Sequence, residues 1–183
     1  MYIFDTREQK NQHIINYFKK NNIEYKIQKI DEGDYKFEGN DTICVERKGN
    51  LNEIMANITQ ARFKRELKRA KQKGVKLVVL IENSSNINSI DDITKWKNPR
   101  LEQYKRTLKW KLNINYHAEY NEWELYRQAK DKGLKPRKPP ISPEQLRKAL
   151  HTIEENKEEY DVSFQFCSKS ECGAKILEIL SQK

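Results

Sequence analysis

Residues 43–48 are Ile43-Cys44-Val45-Glu46-Arg47-Lys48, and both the fold and the chemistry of the chain can be approached from this stretch. Its apolar and β-branched residues predict a β-strand. Side chains two residues apart on a strand point to the same side of the sheet, so we expect Glu46 and Lys48 to project together. A carboxylate beside an ammonium group is suited to holding a hard cation and orienting a water or a phosphate.

A second acidic residue is expected at the same place. Gly33-Asp34-Tyr35 leads into another short strand, and a hairpin between the two strands would bring Asp34 beside Glu46 and Lys48. Two carboxylates and one ammonium group would then form a site for a divalent cation. The alternative interpretation is a solvated strand end of mixed charge, because so short a pattern also occurs by chance.

Strand and helix patterns alternate outward from this hairpin. The apolar run at 75–81 is continuous, as in strands that are buried on both faces of a sheet. The alternation predicts one α/β domain with a mixed central sheet flanked by helices. The remaining strands are predicted at 2–5, 25–30 and 162–166, and the helices at 9–20, 52–73, 143–159 and 171–180.

The composition of the sequence changes after Glu82. Residues 84–140 contain a polar loop, a basic tryptophan-bearing helical stretch and a proline-rich segment, which indicates an insertion into the domain. We therefore predict three parts: residues 1–83 as the first part of the core, 84–140 as a mainly helical basic insertion, and 141–183 as the returning helix, strand and helix.

The charge of the chain favours a polyanionic partner. Among 183 residues there are 36 Lys and Arg against 27 Asp and Glu, which gives a formal net charge of +9. Each phosphate that a basic protein neutralises releases a condensed counterion, so such an excess promotes nucleic-acid binding. Basic proteins with solvated lysine surfaces are the alternative.

Cysteine usage and hydropathy argue against a disulfide-rich, a zinc-binding or a membrane-spanning protein. Three scattered cysteines (Cys44, Cys167 and Cys172) are too few for a disulfide framework, and the pair five residues apart has no second pair with which to form a zinc site. The longest apolar run is too short to span a membrane. We expect a cytoplasmic or otherwise intracellular protein with no membrane partner.

Five motifs follow one another in a recognisable order. Asp5-Thr6-Arg7-Glu8 is followed by Gly33-Asp34-Tyr35, Val45-Glu46-Arg47-Lys48, Arg62-Phe63 and the strand that ends at Glu82. This series resembles the nuclease domain of the XPF family of structure-specific DNA endonucleases, whose signature is Asp-x-Arg-Glu, Gly-Asp and Glu-Arg-Lys-x-x-x-Asp. The resemblance covers residues 2–82 and, more loosely, 162–180. It implies a restriction-endonuclease-like core.

The resemblance also implies roles for individual residues. Lys48 would polarise or orient the attacking water, and Arg7 and Arg47 would hold phosphate oxygens. An ion pair with Glu8 or Glu46 is the alternative role for Arg7. The metal, Mg²⁺ or Mn²⁺, would be held by Asp5, Glu8, Asp34 and Glu46.

Two features depart from the family pattern. Asn52 occupies the position where the family has an aspartate, so an oxygen is kept but a charge is lost. In addition, nothing after residue 82 resembles the helix-hairpin-helix domain through which cellular members bind duplex DNA.

DNA contacts are therefore expected from the insertion and from the basic helix before it. Trp96 and Trp110 lie among the basic residues and could stack on an unpaired base, although packing of Trp96, Trp110 and Trp123 onto the core is the alternative. The basic residues proposed for DNA binding are Arg62, Lys64, Arg65, Lys95, Lys97, Arg100, Lys105, Arg106, Lys109 and Lys111.

Taken with the resemblance, these observations predict a metal-dependent endonuclease that hydrolyses phosphodiester bonds in branched or single-strand-containing DNA. Two alternatives stay open, a non-catalytic DNA-binding subunit and a Holliday-junction resolvase-like nuclease on the same core. The resemblance further implies a homodimer through the nuclease domain. The absence of helicase and hairpin domains favours a phage-like protein.

Overall fold

A computed structural model describes residues 1–181, and within that range a mixed sheet of six strands is the centre of the fold. The strand order is β2-β1-β3-β4-β5-β6. Strands β3 and β4 are antiparallel, whereas β4, β5 and β6 run parallel to one another. The strands are β1 (Tyr2–Phe4), β2 (Tyr25–Ile27), β3 (Tyr35–Phe37), β4 (Asn40–Lys48), β5 (Lys76–Glu82) and β6 (Val162–Cys167).

Seven α-helices accompany the sheet in residues 1–181. Helices α1 and α7 pack on one face, while α2, α3 and α6 pack on the other. The predicted α/β fold with a mixed sheet between helices is thus confirmed. The helices are α1 (Gln12–Lys20), α2 (Leu51–Ile58), α3 (Ala61–Gln72), α4 (Pro99–Leu112), α5 (Glu122–Asp131), α6 (Pro143–Glu155) and α7 (Cys172–Leu180).

Strand β5 joins the two halves of the core. Leu77, Val79 and Ile81 belong to the cluster beneath α2, α3 and α6. Val78 and Leu80 belong to the cluster beneath α1 and α7. Successive side chains of a strand alternate between the faces, so a continuous apolar run is what a strand covered on both faces requires.

The region predicted as a single helix over 52–73 is two helices in the structure. Helix α2 ends at Ile58, and the backbone of Gln60 is extended before α3 begins. The Thr59 hydroxyl donates to the carbonyl of Ala56, and the amide of Gln60 donates to the carbonyl of Asn57, which closes the last turn of α2. The apolar faces of both helices enter the same core, so the break preserves burial while changing direction.

Other boundaries also differ from the prediction. Strand β2 is shorter than the predicted 25–30, and α6 ends at Glu155 rather than at 159. Within the stretch 84–140, Ile87, Ile90, Ile93 and Trp96 are buried in the main core. Helices α4 and α5 have a small core of their own, formed by Leu108, Leu112, Leu125 and Ala129.

Residues 1–181 contain no helix that is both long enough and apolar enough to cross a lipid bilayer.

A buried carboxylate ties the loop before β3 to helix α3. Both oxygens of Glu32 accept hydrogen bonds from Arg69, at 2.8 and 2.9 Å, and Lys73 approaches within 2.9 Å. Burial alone would raise the pKa of Glu32, but the hydrogen bonds from Arg69 and Lys73 outweigh burial and lower it. A lowered folded-state pKa stabilises the fold above the unfolded pKa, and this contribution is lost as the pH falls through the folded value.

We therefore expect Glu32→Gln to lower the free energy of unfolding at pH 7 by about 1–2 kcal/mol, since two charge-assisted hydrogen bonds are weakened. The difference in the free energy of unfolding between the two proteins should shrink as the pH falls from about 4.3, the ordinary pKa of a glutamate, through the lowered pKa of Glu32. The wild-type carboxylate is then protonated and loses its charge. Urea unfolding at several pH values measures this. Exposed Glu24 provides the matched control, Glu24→Gln, and an equal loss in both variants would contradict the role given to Glu32.

Candidate active site

The hairpin of β3 and β4 places Asp34 beside the end of β4. The amide of Asp34 donates to the carbonyl of Val45 at 2.7 Å, and the carboxylate of Asp34 accepts from the amide of Arg47 at 2.8 Å. Gly33 has a φ of +73°, and a Cβ added there would lie 2.9 Å from the carbonyl oxygen of Val45. A glycine is therefore required for this close approach of the two chains.

A cavity of about 280 Å³ opens in front of Asp34, Glu46 and Lys48. The end of the hairpin forms one side, and helices α2 and α3 form the other. Because the helices are separate, each contributes polar residues from a different direction. The cavity is lined by Arg7, Gly33, Asp34, Glu46, Lys48, Glu53, Asn57, Gln60, Arg62, Phe63 and Glu66.

Lys48 is held in place by its neighbours. Its ammonium group donates to Glu46 at 2.6 Å and lies 5.8 Å from the centre of the Phe63 ring. Burial lowers the pKa of Lys48, but the charge and hydrogen bond of Glu46, together with the charges of Asp34 and Glu53, outweigh burial and raise it. Lys48 thus places a positive charge in the cavity wall.

Of the two carboxylates of the hairpin, that of Glu46 is buried and that of Asp34 is half-buried, and their charges repel each other. Burial raises the pKa of Asp34 well above its usual range, and the charge of Glu46 raises it further. Burial also raises the pKa of Glu46, while the charge of Lys48 opposes that rise. A buried and a half-buried carboxylate that repel each other are donors that a divalent cation would stabilise, and hard oxygen ligands suit Mg²⁺ or Mn²⁺. Asp34 and Glu46 could therefore supply two of the ligands of the expected metal.

Asp5 and Glu8 lie differently from the prediction. Asp5 is buried and accepts from the backbone amide of Arg7 at 2.7 Å and from its side-chain Nε at 3.0 Å. Burial raises the pKa of Asp5, but the hydrogen bonds and charge of Arg7 lower it overall. Neither Asp5 nor Glu8 lines the cavity. The partner of Arg7 is Asp5, not the Glu8 or Glu46 of the alternative interpretation, and Arg7 still reaches the cavity wall.

Arg47 points to the opposite face of the sheet from Glu46 and Lys48. Its guanidinium group is buried, with Nη2 donating to Glu8 at 2.7 Å and Nη1 donating to Glu82 at 3.0 Å. The predicted contact of Arg47 with a phosphate oxygen is not compatible with this arrangement, because strand alternation directs its side chain away from the cavity. Arg47 instead joins β4 to the Asp-x-Arg-Glu segment and to the end of β5.

The carboxylate of Glu82 is the centre of a second polar cluster. His13 lies 2.7 Å from the same oxygen that accepts from Arg47. Among residues 1–181, the ligand atoms of His13, Glu82 and Cys172 form the one group of three that all lie within 4.8 Å of one another. The four acids predicted as metal ligands do not form such a group. Hydrogen bonding of Glu82 to His13 and Arg47 accounts for this cluster.

Asn52 does not line the cavity, whereas its neighbour Glu53 does. The Glu53 carboxylate accepts from the amide of Gly49 at 2.9 Å, and its backbone amide donates to the N-cap side chain of Asn50 at 3.0 Å. The side-chain oxygen of Asn52 is buried without a hydrogen-bond partner. The first turn of α2 therefore still delivers a carboxylate to the cavity, one residue later than the family signature.

Several residues at or behind the cavity were not predicted as site residues from the sequence. Glu53 and Glu66 lie on helices whose orientation depends on the break after Ile58. His13 and Glu82 are 69 positions apart, so sequence spacing alone gives no sign of their contact. Helical periodicity could have placed Glu66 on the face that also carries Arg62, because residues four apart are neighbours on a helix.

The basic residues predicted to bind DNA fall into separate groups. Arg62 and Arg65 lie on one face of α3, and both line a second cavity of about 380 Å³ together with Arg7, Asp31, Glu66 and Arg69. Lys64 lines neither cavity. In the insertion, Lys95 pairs with Asp92 and Lys105 pairs with Glu122, whereas Lys97, Arg100, Arg106 and Lys111 are exposed. Trp96 is buried, and Trp110 is exposed.

The mixed sheet between helices, with a polar cavity at the end of β4, places the chain among the α/β proteins. The family model of the ERCC4 domain matches residues 4–180, and the chain belongs to this family of XPF-type nucleases. Among solved structures, "XPF from Aeropyrum pernix" is similar, with a TM-score of 0.51 and 13% identity. The alignment covers 98% of this chain and 64% of that one, so the chain spans less than two thirds of its relative. No curated protein matches significantly.

The ion pairs of Arg47 lead to a prediction about stability. Replacing Arg47 by Met leaves Glu8 and Glu82 without the guanidinium group that pairs with them. We therefore expect Arg47→Met to lower the free energy of unfolding by about 3–5 kcal/mol. Chemical denaturation measures the loss. Exposed Arg65 provides the matched control, since Arg65→Met should change stability by about 0.5 kcal/mol or less. Weakened DNA binding with unchanged stability in Arg47→Met would instead support a phosphate contact.

Proposed function

We propose that the chain is a metal-dependent DNA endonuclease that hydrolyses phosphodiester bonds. The observation that supports the proposal is the meeting of Asp34, Glu46 and Lys48 in one open polar cavity. A buried and a half-buried carboxylate beside a buried ammonium group are costly to maintain, which argues for a use in chemistry. Membership of the ERCC4 domain family supports the same reaction class.

Each residue of the cavity has a distinct task in this proposal. Asp34 and Glu46 would hold Mg²⁺ or Mn²⁺, and Glu53 and Glu66 line the same cavity. The cation would supply positive charge against the phosphate and lower the pKa of water. Lys48, kept in position by Glu46, would orient the attacking water or neutralise a phosphate oxygen.

The DNA backbone would run along the arginines of α3. Arg62 and Arg65 are exposed, and both line the second cavity together with Arg7. Arg7 and Arg62 also line the first cavity. The side chain of Arg7 is 62% exposed, although one edge of it binds Asp5. Guanidinium groups bind phosphate oxygens in a planar, bidentate manner. A strand held there would present its phosphates to Asp34 and Glu46.

A non-catalytic DNA-binding subunit is the second candidate. It is favoured by the engagement of Asp5 with Arg7 and of Glu8 with Arg47, which leaves the cavity with fewer of the expected ligands. A resolvase-like nuclease on the same core stays a proposal, and so does the homodimer through the nuclease domain that the family resemblance implies. Substrate preference in a cleavage panel and the mass in solution test these two.

Substitutions in the cavity test the reaction. We expect Asp34→Asn and Lys48→Ala each to lower cleavage of flap, fork and single-stranded DNA in Mg²⁺ or Mn²⁺ by at least about a hundredfold, since each removes a group that acts on the reacting phosphate. DNA binding measured in EDTA should be nearly unchanged. Lys36→Ala is the control, because Lys36 pairs with Asp41 outside this cavity. Full cleavage by both cavity variants would exclude the mechanism, and no cleavage by the wild type would favour the non-catalytic subunit.

The arginine face of α3 leads to a separate prediction about salt. The double variant Arg62→Ala with Arg65→Ala should weaken DNA binding. The slope of log K against log salt should become shallower by about 0.7–0.9 for each phosphate that the variant no longer neutralises. Lys64→Ala on the same helix is the matched control, because Lys64 lines neither cavity. Equal slopes for all three proteins would remove this face from the DNA interface.

A further inference from the structure

Two aromatic side chains project from the α4–α5 hairpin into solvent. Trp110, near the end of α4, is 80% exposed, and Tyr116, in the loop that follows, is 58% exposed. The hairpin is held together on its other side by Leu108, Leu112 and Leu125, so neither ring contributes to that core. Two large aromatic side chains left in solvent on the same hairpin form a surface that a binding partner could cover.

Two cationic side chains lie near the Tyr116 ring. The guanidinium carbon of Arg106 lies 5.9 Å from the ring centre, and the ammonium group of Lys109 lies 5.6 Å from it. Lys109 also donates to the backbone carbonyl of Tyr116 at 2.9 Å, which fixes the loop against α4. Arg106 and Trp110 are four residues apart and therefore neighbours on the same face of the helix. Lys111, next to Trp110, is exposed as well.

The geometry points to a binding surface for single-stranded DNA, and we propose that unpaired bases stack on Trp110 and Tyr116 while Arg106, Lys109 and Lys111 contact the phosphates. Aromatic rings interleaved with cations are the combination that single-strand binding requires, because each unpaired base offers a π-face and each nucleotide a negative charge. A duplex hides its base faces, so it could use only the cations.

A second copy of this chain fits the surface less well. In a symmetric dimer the same patch meets itself, so the cations of one copy would face those of the other. Like charges brought together at an interface are strongly unfavourable. Charge complementarity thus selects a polyanion over self-association.

The inference deepens the proposed function, since it assigns the single-stranded part of a DNA substrate to the insertion. The sequence predicted that Trp96 and Trp110 could stack on bases, whereas this inference assigns the stacking to Trp110 and Tyr116. Trp96 is only 7% exposed and packs in the main core, whereas Tyr116 takes part instead.

Binding of an oligo(dT) probe to the full chain in EDTA tests the proposal, with no cleavage step involved. We expect Trp110→Ala to raise the Kd for oligo(dT) by about five- to a hundredfold, in line with the loss of one stacked base. The Kd for a duplex of equal length should change little, and Trp110→Phe should restore part of the affinity. Trp123→Phe is the control, because Trp123 is partly exposed but packs edge-on against Tyr126.

The proposal is overturned if Trp110→Ala binds oligo(dT) as the wild type does, or if it loses affinity for single strand and duplex equally. It is also overturned if sedimentation shows that the wild type dimerises and that Trp110→Ala abolishes the dimer without changing the Kd. Circular dichroism checks that each variant is folded. Because binding is measured without metal, an inactive nuclease centre would not alter the result, and the two proposals can fail separately.

Discussion

Strand alternation at the end of β4 is the constraint on which the site depends. Glu46 and Lys48 face the cavity, and Arg47 between them faces the other side of the sheet. There the Arg47 guanidinium is held by Glu8 and Glu82 at hydrogen-bonding distance. The three consecutive charged residues thus have two purposes, because the outer two form the site and the middle one anchors the strand that carries them.

The anchor connects distant parts of the sequence. Glu8 belongs to the first motif, Glu82 ends β5, and His13 on α1 contacts the same Glu82 oxygen as Arg47. Breaking a buried ion pair by removing one partner leaves an uncompensated charge, which is far more costly than the pair's own contribution. The position of the cavity face is therefore tied to contacts that lie behind it.

Much of the fold could be predicted from the sequence because the signals were local. The apolar run of β5, the hairpin before β4 and the final strand and helix each follow from residue periodicity. Strand alternation does put Arg47 on the opposite side from Glu46 and Lys48, but its role as a phosphate contact was taken from the family resemblance. Its partners could not be predicted, because Glu82 and Glu8 are 35 and 39 positions away and meet it only in the folded chain. Asp5 lies beyond the end of β1, where alternation no longer gives a direction. Glu53 and Glu66 were missed for a related reason. The turn at Thr59 and Gln60 sets the relative orientation of their helices, and this turn is hard to recognise in the helical periodicity of residues 52–73.

The α4–α5 hairpin lies within the connection from β5 to β6, which are parallel neighbours. Parallel strands need a long crossover in any case, so the chain must leave the sheet edge and return there. Lengthening such a connection costs little, because loop-closure entropy adds only about 0.6 kcal/mol for each doubling of length. A module at this point can therefore grow, shrink or change its surface while strand pairing is preserved, so a binding surface on the hairpin can evolve independently of the cavity at the end of β4.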